Sequence, residues 1–380
     1  MKRTSDDDSQ SLLGLLNIKR LEGMLVLILV ILFLLAYTVI REITFIIITS
    51  ILLGAWLVSR PSEWLATGVS NLGRHYHLSE YVIGVLASLT AILGEITVVV
   101  FSFWIAYTLQ DFLFIELAIL ATLYSIGFNI MILGVTVVCK GGKKVAMPDD
   151  VLSKELEIID WAMAACFLIA FLWLSKAFVA TSLEGSVLYL PREVSFLLPV
   201  SYFVYTVNLR KIKYSGGKSY MTVPPISPRQ SVFLVCIGTI MIIIGGGLLV
   251  DSAVILLIDN KELLRAYGDP FIITAVIIGG ASAAYDTVIN VIFASRGQIL
   301  ASVGNLLGSA IQLFMLVIGI VGIVILLPIT QHIAFQLAVI SMSFYFYRQA
   351  LADKSLDRYE GAMLVLLQFF ALVIAVRGFL

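Results

Sequence analysis

The chain has 380 residues and a formal net charge of zero, yet 60% of it is hydrophobic and only 13% charged, with a mean hydropathy of +1.02. Soluble domains carry roughly 25% charged residues, so the composition excludes a soluble globule and implies an integral membrane protein. It gives no support to nucleic-acid binding, because no basic stripe interleaved with aromatics occurs, and Cys139, Cys166 and Cys236 stand alone, without zinc or disulfide spacing.

Residues 1–19, with Asp6, Asp7, Asp8 and several Ser, read as a solvated cytoplasmic tail. The stretch after Lys19 and Arg20 is too long for a signal-peptide core and lacks a small-residue cleavage site, so it reads as a span. Spans are expected at about 20–40, 43–71, 81–109, 113–138, 157–180, 192–208, 231–258, 270–295, 299–327, 330–348 and 359–379. Most of these runs are about 20 residues or longer, enough to cross a ~30 Å hydrocarbon core as helix. With the N-terminus on one side, that side collects eighteen Lys and Arg, among them Lys140, Lys143, Lys144, Lys211 and Lys354. The other side receives six, Arg41, Lys176, Arg192, Lys261, Arg265 and Arg377, and Arg60 lies inside a span. The bias assigns the richer side to the cytoplasm. The N-terminus is therefore expected inside and the C-terminus outside, in the plasma membrane.

Arg20-Leu-Glu-Gly23, Arg358-Tyr-Glu-Gly361 and, more loosely, Arg192-Glu193 each open an apolar helix. Two distant stretches also share one plan. From Tyr81 through Glu95 to Gly134, and from Phe271 through Asp286 to Gly319, an apolar helix with one mid-span carboxylate precedes a helix carrying Ser and Asn or Gln. Five helices per half is an odd number, so the halves must insert with opposite orientation. The expected fold is an all-α integral membrane protein of about 11 transmembrane helices: two inverted five-helix repeats plus one extra N-terminal helix. Residues 20–40 form the extra helix and should pack peripherally; 43–208 form the first repeat, 209–230 a cytoplasmic linker and 231–380 the second repeat.

A bare carboxylate at mid-membrane costs at least a few kcal/mol, which makes Glu95 and Asp286 functional candidates by default. Around Asp286 the run Gly279-Gly-Ala-Ser-Ala-Ala-Tyr-Asp286 is small and flexible, and its Gly pair permits a break that frees carbonyls for a cation. The following helices offer Ser125 and Asn129 in one half and Asn305, Ser309 and Gln312 in the other. Ser125 and Asn129 share a helix face, as do Asn305 and Ser309. Carboxylate, hydroxyl and amide oxygens are the hard ligands Ca²⁺ and Na⁺ prefer. Taken singly, each Ser or amide reads more readily as a packing or interhelical hydrogen-bonding group; packing does not explain the acids. Glu63, beside Arg60 and Pro61, ranks below them as a local ion pair, and His75, His77 and His332 do not read as ligands.

The second half resembles the alpha-repeat of the sodium/calcium exchanger (cation/calcium antiporter) superfamily. There, Gly-Thr-Ser-x-Pro-Glu is followed eighteen residues later by Gly-Asn-x-x-Gly-Ser-Asn. Here Ala281-Ser-Ala-Ala-Tyr-Asp286 stands in the first place, and Gly304-Asn-Leu-Leu-Gly-Ser309 begins eighteen residues after Asp286. The first half is more degenerate: Glu116-Leu-Ala-Ile-Leu-Ala-Thr-Leu-Tyr-Ser125 and Phe128-Asn129 resemble the family's Asp-Ile-Ala-Ile-Gly-Asn-x-x-Gly-Ser-Asn-x-Phe-Asn with about seven extra residues after Glu95. The resemblance, over roughly 43–380, implies Glu95 and Asp286 as paired cation ligands, with Ser125, Asn129, Ser282 and Ser309 as flanking oxygens. Gly94 and Tyr285 replace the motif proline, Ala91, Ile92 and Ala283 remove hydroxyls, and Leu313 stands where Asn or Asp is common.

The function this implies is secondary antiport of Ca²⁺, or a related cation, against Na⁺ or H⁺ at one mid-membrane site. No cofactor is expected; the partners are inorganic cations and the lipid bilayer. Proton exchange fits the poverty of flanking oxygens, because desolvated carboxylates protonate readily. A channel or uniporter on the same fold, or a non-transporting membrane sensor, is the alternative. An intramembrane enzyme would need a nucleophile–base pair, a His cluster or paired acidic metal motifs, and the sequence offers none.

Overall fold

The computed structural model describes residues 20–76, 92–139, 145–146, 149–179, 188–209, 226–258, 264–284, 286–287, 290 and 299–377. The expected tail 1–19, the first part of the third span, most of the linker, His77, Tyr285 and the loop after the eighth span lie outside these residues. The described chain is helical almost throughout. Its helices are α1 (Arg20–Leu35, prolonged by the π turn Ala36–Ile40), α2 (Ile43–His75), α3 (Leu93–Leu109), α4 (Leu113–Cys139), α5 (Asp149–Val179), α6 (Arg192–Leu209) and α7 (Pro228–Ile258). They continue with α8 (Pro270–Ser282), α9 (Ile299–Gln312), α10 (Gly319–Val324), α11 (Gln331–Ala350) and α12 (Arg358–Arg377). A π turn, Leu313–Ile318, joins α9 to α10.

The protein is an all-α multi-pass membrane protein. Among the described residues seven helices are long and apolar enough to cross a membrane, against eleven expected spans. The difference has local causes. α6 and α11 have spanning length, 18 and 20 residues, but carry more polar side chains. α3 and α8 are shorter, 17 and 13 residues, α3 starting after a turn at Ile92 and α8 ending at a turn at Ala283.

Sequence periodicity gave no sign of four two-residue strands, β1 (Val145–Ala146), β2 (Leu188–Tyr189), β3 (Pro328–Ile329) and β4 (Ser355–Leu356). β1 pairs antiparallel with β4, Val145 opposite Leu356, and β2 with β3, Leu188 opposite Ile329. The first pair joins two loops that charge sorting puts on one side of the membrane, and the second joins two loops from the other side. Helix contacts are reciprocal in the same way. α2 lies along α7 and α5 along α11, while α12 packs on α4 as α6 packs on α10. Residue-level contacts repeat as well. Gly134 of α4 faces the Gly361 carbonyl, Leu364 and Val365, and Gly319 of α10 faces the Ser195 carbonyl, Leu198 and Pro199. These are the same three positions counted from Arg358 and from Arg192. Gly319 lies ten residues beyond Ser309, whereas Gly134 lies nine beyond Ser125. The intervening π turn takes up the extra residue, as a wider i→i+5 turn does.

The α2–α7 crossing depends on missing side chains. A Cβ at Gly54 would meet the Gly245 carbonyl at 3.0 Å, and one at Gly245 would meet Leu57 Cβ at 2.7 Å and the Gly54 carbonyl at 2.9 Å. In a bilayer, where burial from water does not drive helix pairing, such close backbone contact is the main source of association. α1 lies outside this core, against α2. Glu22 accepts from Trp56 Nε1 (3.3 Å) and pairs with Arg60 (3.0 Å), which also pairs with Glu63. Glu63 is thus spent on an ion pair at the α1–α2 seam. In the α5–α11 pair, Arg348 of α11 pairs with Asp160 of α5 at 2.5 Å.

Gly245→Ala should therefore destabilise the protein by about 1–3 kcal/mol, the usual penalty for overpacking. Gly247→Ala, whose Cβ would find Phe101 no nearer than 3.6 Å, should leave the unfolding temperature in detergent unchanged. Equal unfolding temperatures for the two variants would show that the crossing does not depend on Gly245.

Candidate functional site

A tight turn sets the site's first half. α3 ends at Gln110, in the left-handed region at φ 53°, and the Asp111 side chain accepts from Leu113 N at 3.0 Å to start α4. The two helices therefore run back to back. Glu95 is fifteen residues before Gln110 and Ser125 fifteen after it, so they fall at the same level. Ser125 Oγ donates to Glu95 Oε1 at 3.4 Å. Glu95 lies in the first turn of the described α3 rather than mid-helix, and the stretch expected to precede it lies outside the described residues.

α8 brings the second acid. Its start is fixed by Asp269, whose side chain accepts from Phe271 N at 2.9 Å, with Pro270 in the first turn. α8 is interrupted by a turn at Ala283, and Asp286 follows in helical conformation, where Thr287 N donates to the Ala283 carbonyl at 3.1 Å. The Gly279 carbonyl is not freed for an ion: it accepts from Ala283 N (3.1 Å) and from Ser282 Oγ (3.0 Å). Gly279 instead permits close approach to α4, where an added Cβ would meet the Ala121 carbonyl at 2.5 Å. The expectation of a carbonyl-freeing break at this glycine is corrected accordingly.

α4 then bridges the acids. Asn129, one turn beyond Ser125 on the same face, donates through Nδ2 to Asp286 Oδ2 at 3.1 Å. Asn305 Nδ2 reaches Asp286 Oδ1 at 3.5 Å, and the Ser309 hydroxyl also bonds this carboxylate. The two carboxylates are near enough to repel one another, and each is only 4% exposed. Glu95 Oε2 and Asn129 Oδ1 are buried without a hydrogen-bond partner among the described residues. A buried oxygen left unpaired costs about 1–3 kcal/mol, so a cluster of such oxygens beside two like charges is a cradle for a dehydrated cation.

Of the eight residues singled out in sequence, Glu95, Asp286, Ser125, Asn129, Asn305 and Ser309 form one connected group. Ser282 is buried nearby with its proton directed to Gly279. Gln312 Nε2 donates to Tyr202 Oη on α6 at 2.8 Å. Sequence reading passed over Asn290 and Ser302, both fully buried. Asn290 Nδ2 donates to the Asp286 carbonyl at 2.6 Å, and Ser302 Oγ to the Asn290 carbonyl at 3.3 Å. The signal was available: Asn290 stands four residues after Asp286 and Ser302 three before Asn305. Surface clefts of about 720 and 390 Å³ lie elsewhere, the larger beside Glu116, which accepts from Thr330.

Residues 230–377 match the family described as sodium/calcium exchanger protein. No curated protein sequence matches the chain. Among solved structures, an H⁺/Ca²⁺ exchanger, CAX, superposes with a TM-score of 0.65 at 15% identity, over 94% of this chain and 92% of that one. YfkE superposes with 0.63 at 14% identity, over 93% and 99%. The sodium-calcium exchanger NCX_Mj gives 0.57 at 17% identity, over 87% and 99%. The family match thus covers the second half of the chain, and the fold of these exchangers extends along nearly its whole length.

Proposed function

We propose that this protein is a secondary antiporter that exchanges Ca²⁺, or a related cation, for Na⁺ or H⁺ at a single mid-membrane site. The observation that carries the reading is the convergence of Glu95 and Asp286, from opposite halves of the chain, on one turn of α4. Two carboxylates supply at most two negative charges, enough for one Ca²⁺, two Na⁺ or two protons. Occupancy by one excludes the others, and that exclusion couples the fluxes. The neutral oxygens are few. Leu313 is fully buried where the family commonly carries Asn or Asp, and Ala283 is apolar. This favours one divalent ion at a time.

Burial supports alternating access over a channel, because an open pore would wet both carboxylates. The reciprocal packing of α4 with α12 and α6 with α10, and of β1 with β4 and β2 with β3, supports the inverted-repeat reading. The excess of Lys and Arg supports a cytoplasmic β1–β4 face. The similar exchangers carry different counter-ions in their names, so the counter-ion is a matter for flux measurement.

In sealed vesicles, Na⁺ and proton gradients imposed separately should identify the ion that drives ⁴⁵Ca²⁺ uptake. Glu95→Gln and Asp286→Asn should each abolish uptake, since each removes charge that the dehydrated divalent ion needs. Ser125→Ala and Ser309→Ala should only weaken it, because water can replace a neutral oxygen. Passive flux that neither gradient drives would point to the channel reading, and no cation flux under any condition to the sensor.

Stability provides a second check. Without Ca²⁺, Glu95→Gln should unfold in detergent at a higher temperature than the natural chain, because it removes one of two facing buried charges. Ca²⁺ should raise the unfolding temperature of the natural chain by mass action but not that of Glu95→Gln. A variant that is no more stable in the absence of Ca²⁺, yet still responds to it, would place the ion elsewhere.

A further inference from the structure

Asn290 is not needed by the network between the acids, yet its geometry is fixed. The Asp286 backbone oxygen can only accept, so the amide must turn its nitrogen toward it at 2.6 Å. That leaves Oδ1 pointing away, buried and without a partner among the described residues. In hydrocarbon surroundings such an oxygen is costly unless something periodically satisfies it. Beside it lies Ser302, whose hydroxyl meets the Asn290 carbonyl.

Chain direction places this pair to one side of the acids. α8 starts at Asp269, whose N–H donates to the Val376 carbonyl at the end of α12, on the β2–β3 side. It runs toward the β1–β4 face, so Asn290 stands about 6 Å nearer that face than Asp286, at 1.5 Å per residue. α9 returns antiparallel with Ser302, Asn305 and Ser309 at i, i+3 and i+7, all on one side of the helix. Asn305 and Ser309 meet Asp286, and Ser302 meets Asn290. The polar track thus extends one turn past the carboxylates. Among the described residues of the first half no such track occurs. The residue four beyond Glu95 is Val99, and the position seven before Ser125, matching Ser302 before Ser309, is Ala118; both are apolar and buried.

We propose that Asn290 Oδ1 and the Ser302 hydroxyl form a second cation-coordinating ledge, one turn from Asp286 on the β1–β4 side. It receives a partly hydrated Ca²⁺ or similar hard cation as that ion passes between the central site and that face. Two neutral oxygens suit this role, because they replace part of a hydration shell without holding the ion. The ledge rests on the central-site reading and serves only one of the two faces.

The test uses the full chain in vesicles of both orientations, with ⁴⁵Ca²⁺ as the probe. Asn290→Leu, similar in size but apolar, should raise the half-saturating Ca²⁺ concentration at the β1–β4 face by about tenfold, the worth of roughly one contact. It should leave the opposite face unchanged. Asn290→Asp adds charge at the ledge and should lower the value at the β1–β4 face. Ser302→Ala should shift that face in the direction of Asn290→Leu by a smaller factor. Opposite signs for the Leu and Asp variants cannot come from damaged folding. Equal shifts at both faces, or shifts of the same sign for Leu and Asp, would overturn the ledge. Equilibrium ⁴⁵Ca²⁺ binding by Glu95→Gln in detergent separates the two ideas. Binding as strong as that of the natural chain sinks the central site and the ledge with it. Lost binding, combined with Asn290 variants that alter neither face, sinks the ledge alone.

Discussion

Mutual repulsion between two buried carboxylates is the constraint around which this bundle is arranged. Neither acid could occupy the membrane interior alone without a donor, and together they push one another apart. One turn of α4 holds them in the same space, Ser125 on Glu95 and Asn129 on Asp286. That turn must lie close to both α3 and α8, which explains why α4 is the most completely buried of the long apolar helices. It also explains why glycine stands at Gly279, where α8 meets the α4 backbone. Charge sets the requirement, and small residues let the backbones satisfy it.

The remaining helices give α4 a rigid frame. Lipid supplies no burial force, so association rests on interdigitation and on the few polar pairs that hydrocarbon strengthens. The α2–α7 crossing is of the first kind and the Tyr202–Gln312 bond of the second. On the other side of α4, Gln368 of α12 bonds Ser343 of α11 at 2.8 Å and lies against Gly127. Tyr202 and Gln368 are each ten residues from the arginine that opens their helix. α6 and α12 thus each carry a polar side chain toward the helix they support, the partly buried Tyr202 pinning α9 and the buried Gln368 lining the back of α4.

Much of this was legible in the sequence because an intramembrane acid has few innocent explanations. Composition fixed the membrane class, and the equal spacing of Glu95 and Ser125 about Gln110 carried their proximity. Other features were hidden for physical reasons. A glycine pair can free a carbonyl or admit a neighbour, and only the neighbour decides; at Gly279 it is the neighbour. Gln312 stands one turn beyond Ser309, and its bond to Tyr202 of α6 joins two distant helices in a way that spacing along one helix does not reveal. Two-residue strands are too short to leave a periodic trace. Asn290 escaped notice because the motif ended at the acid, although a residue one turn further shares its face.

The two halves repeat in packing more closely than in chemistry. Gly134 and Gly319 meet corresponding residues of α12 and α6 even though one half carries an extra residue, which the π turn absorbs before the helix regains its register. Packing of this kind tolerates no drift, because a Cβ in either place would strike backbone or a side chain. The polar positions obey no such rule. Leu313 stands where its counterpart Asn129 bonds an acid, and Val99 stands where its counterpart Asn290 presents a bare oxygen. On the proposed antiport reading, a frame repeated in packing but lined differently would present different surfaces to an ion on the two sides of the membrane. Directional differences in affinity can then arise from a few side chains without altering how the halves fit together.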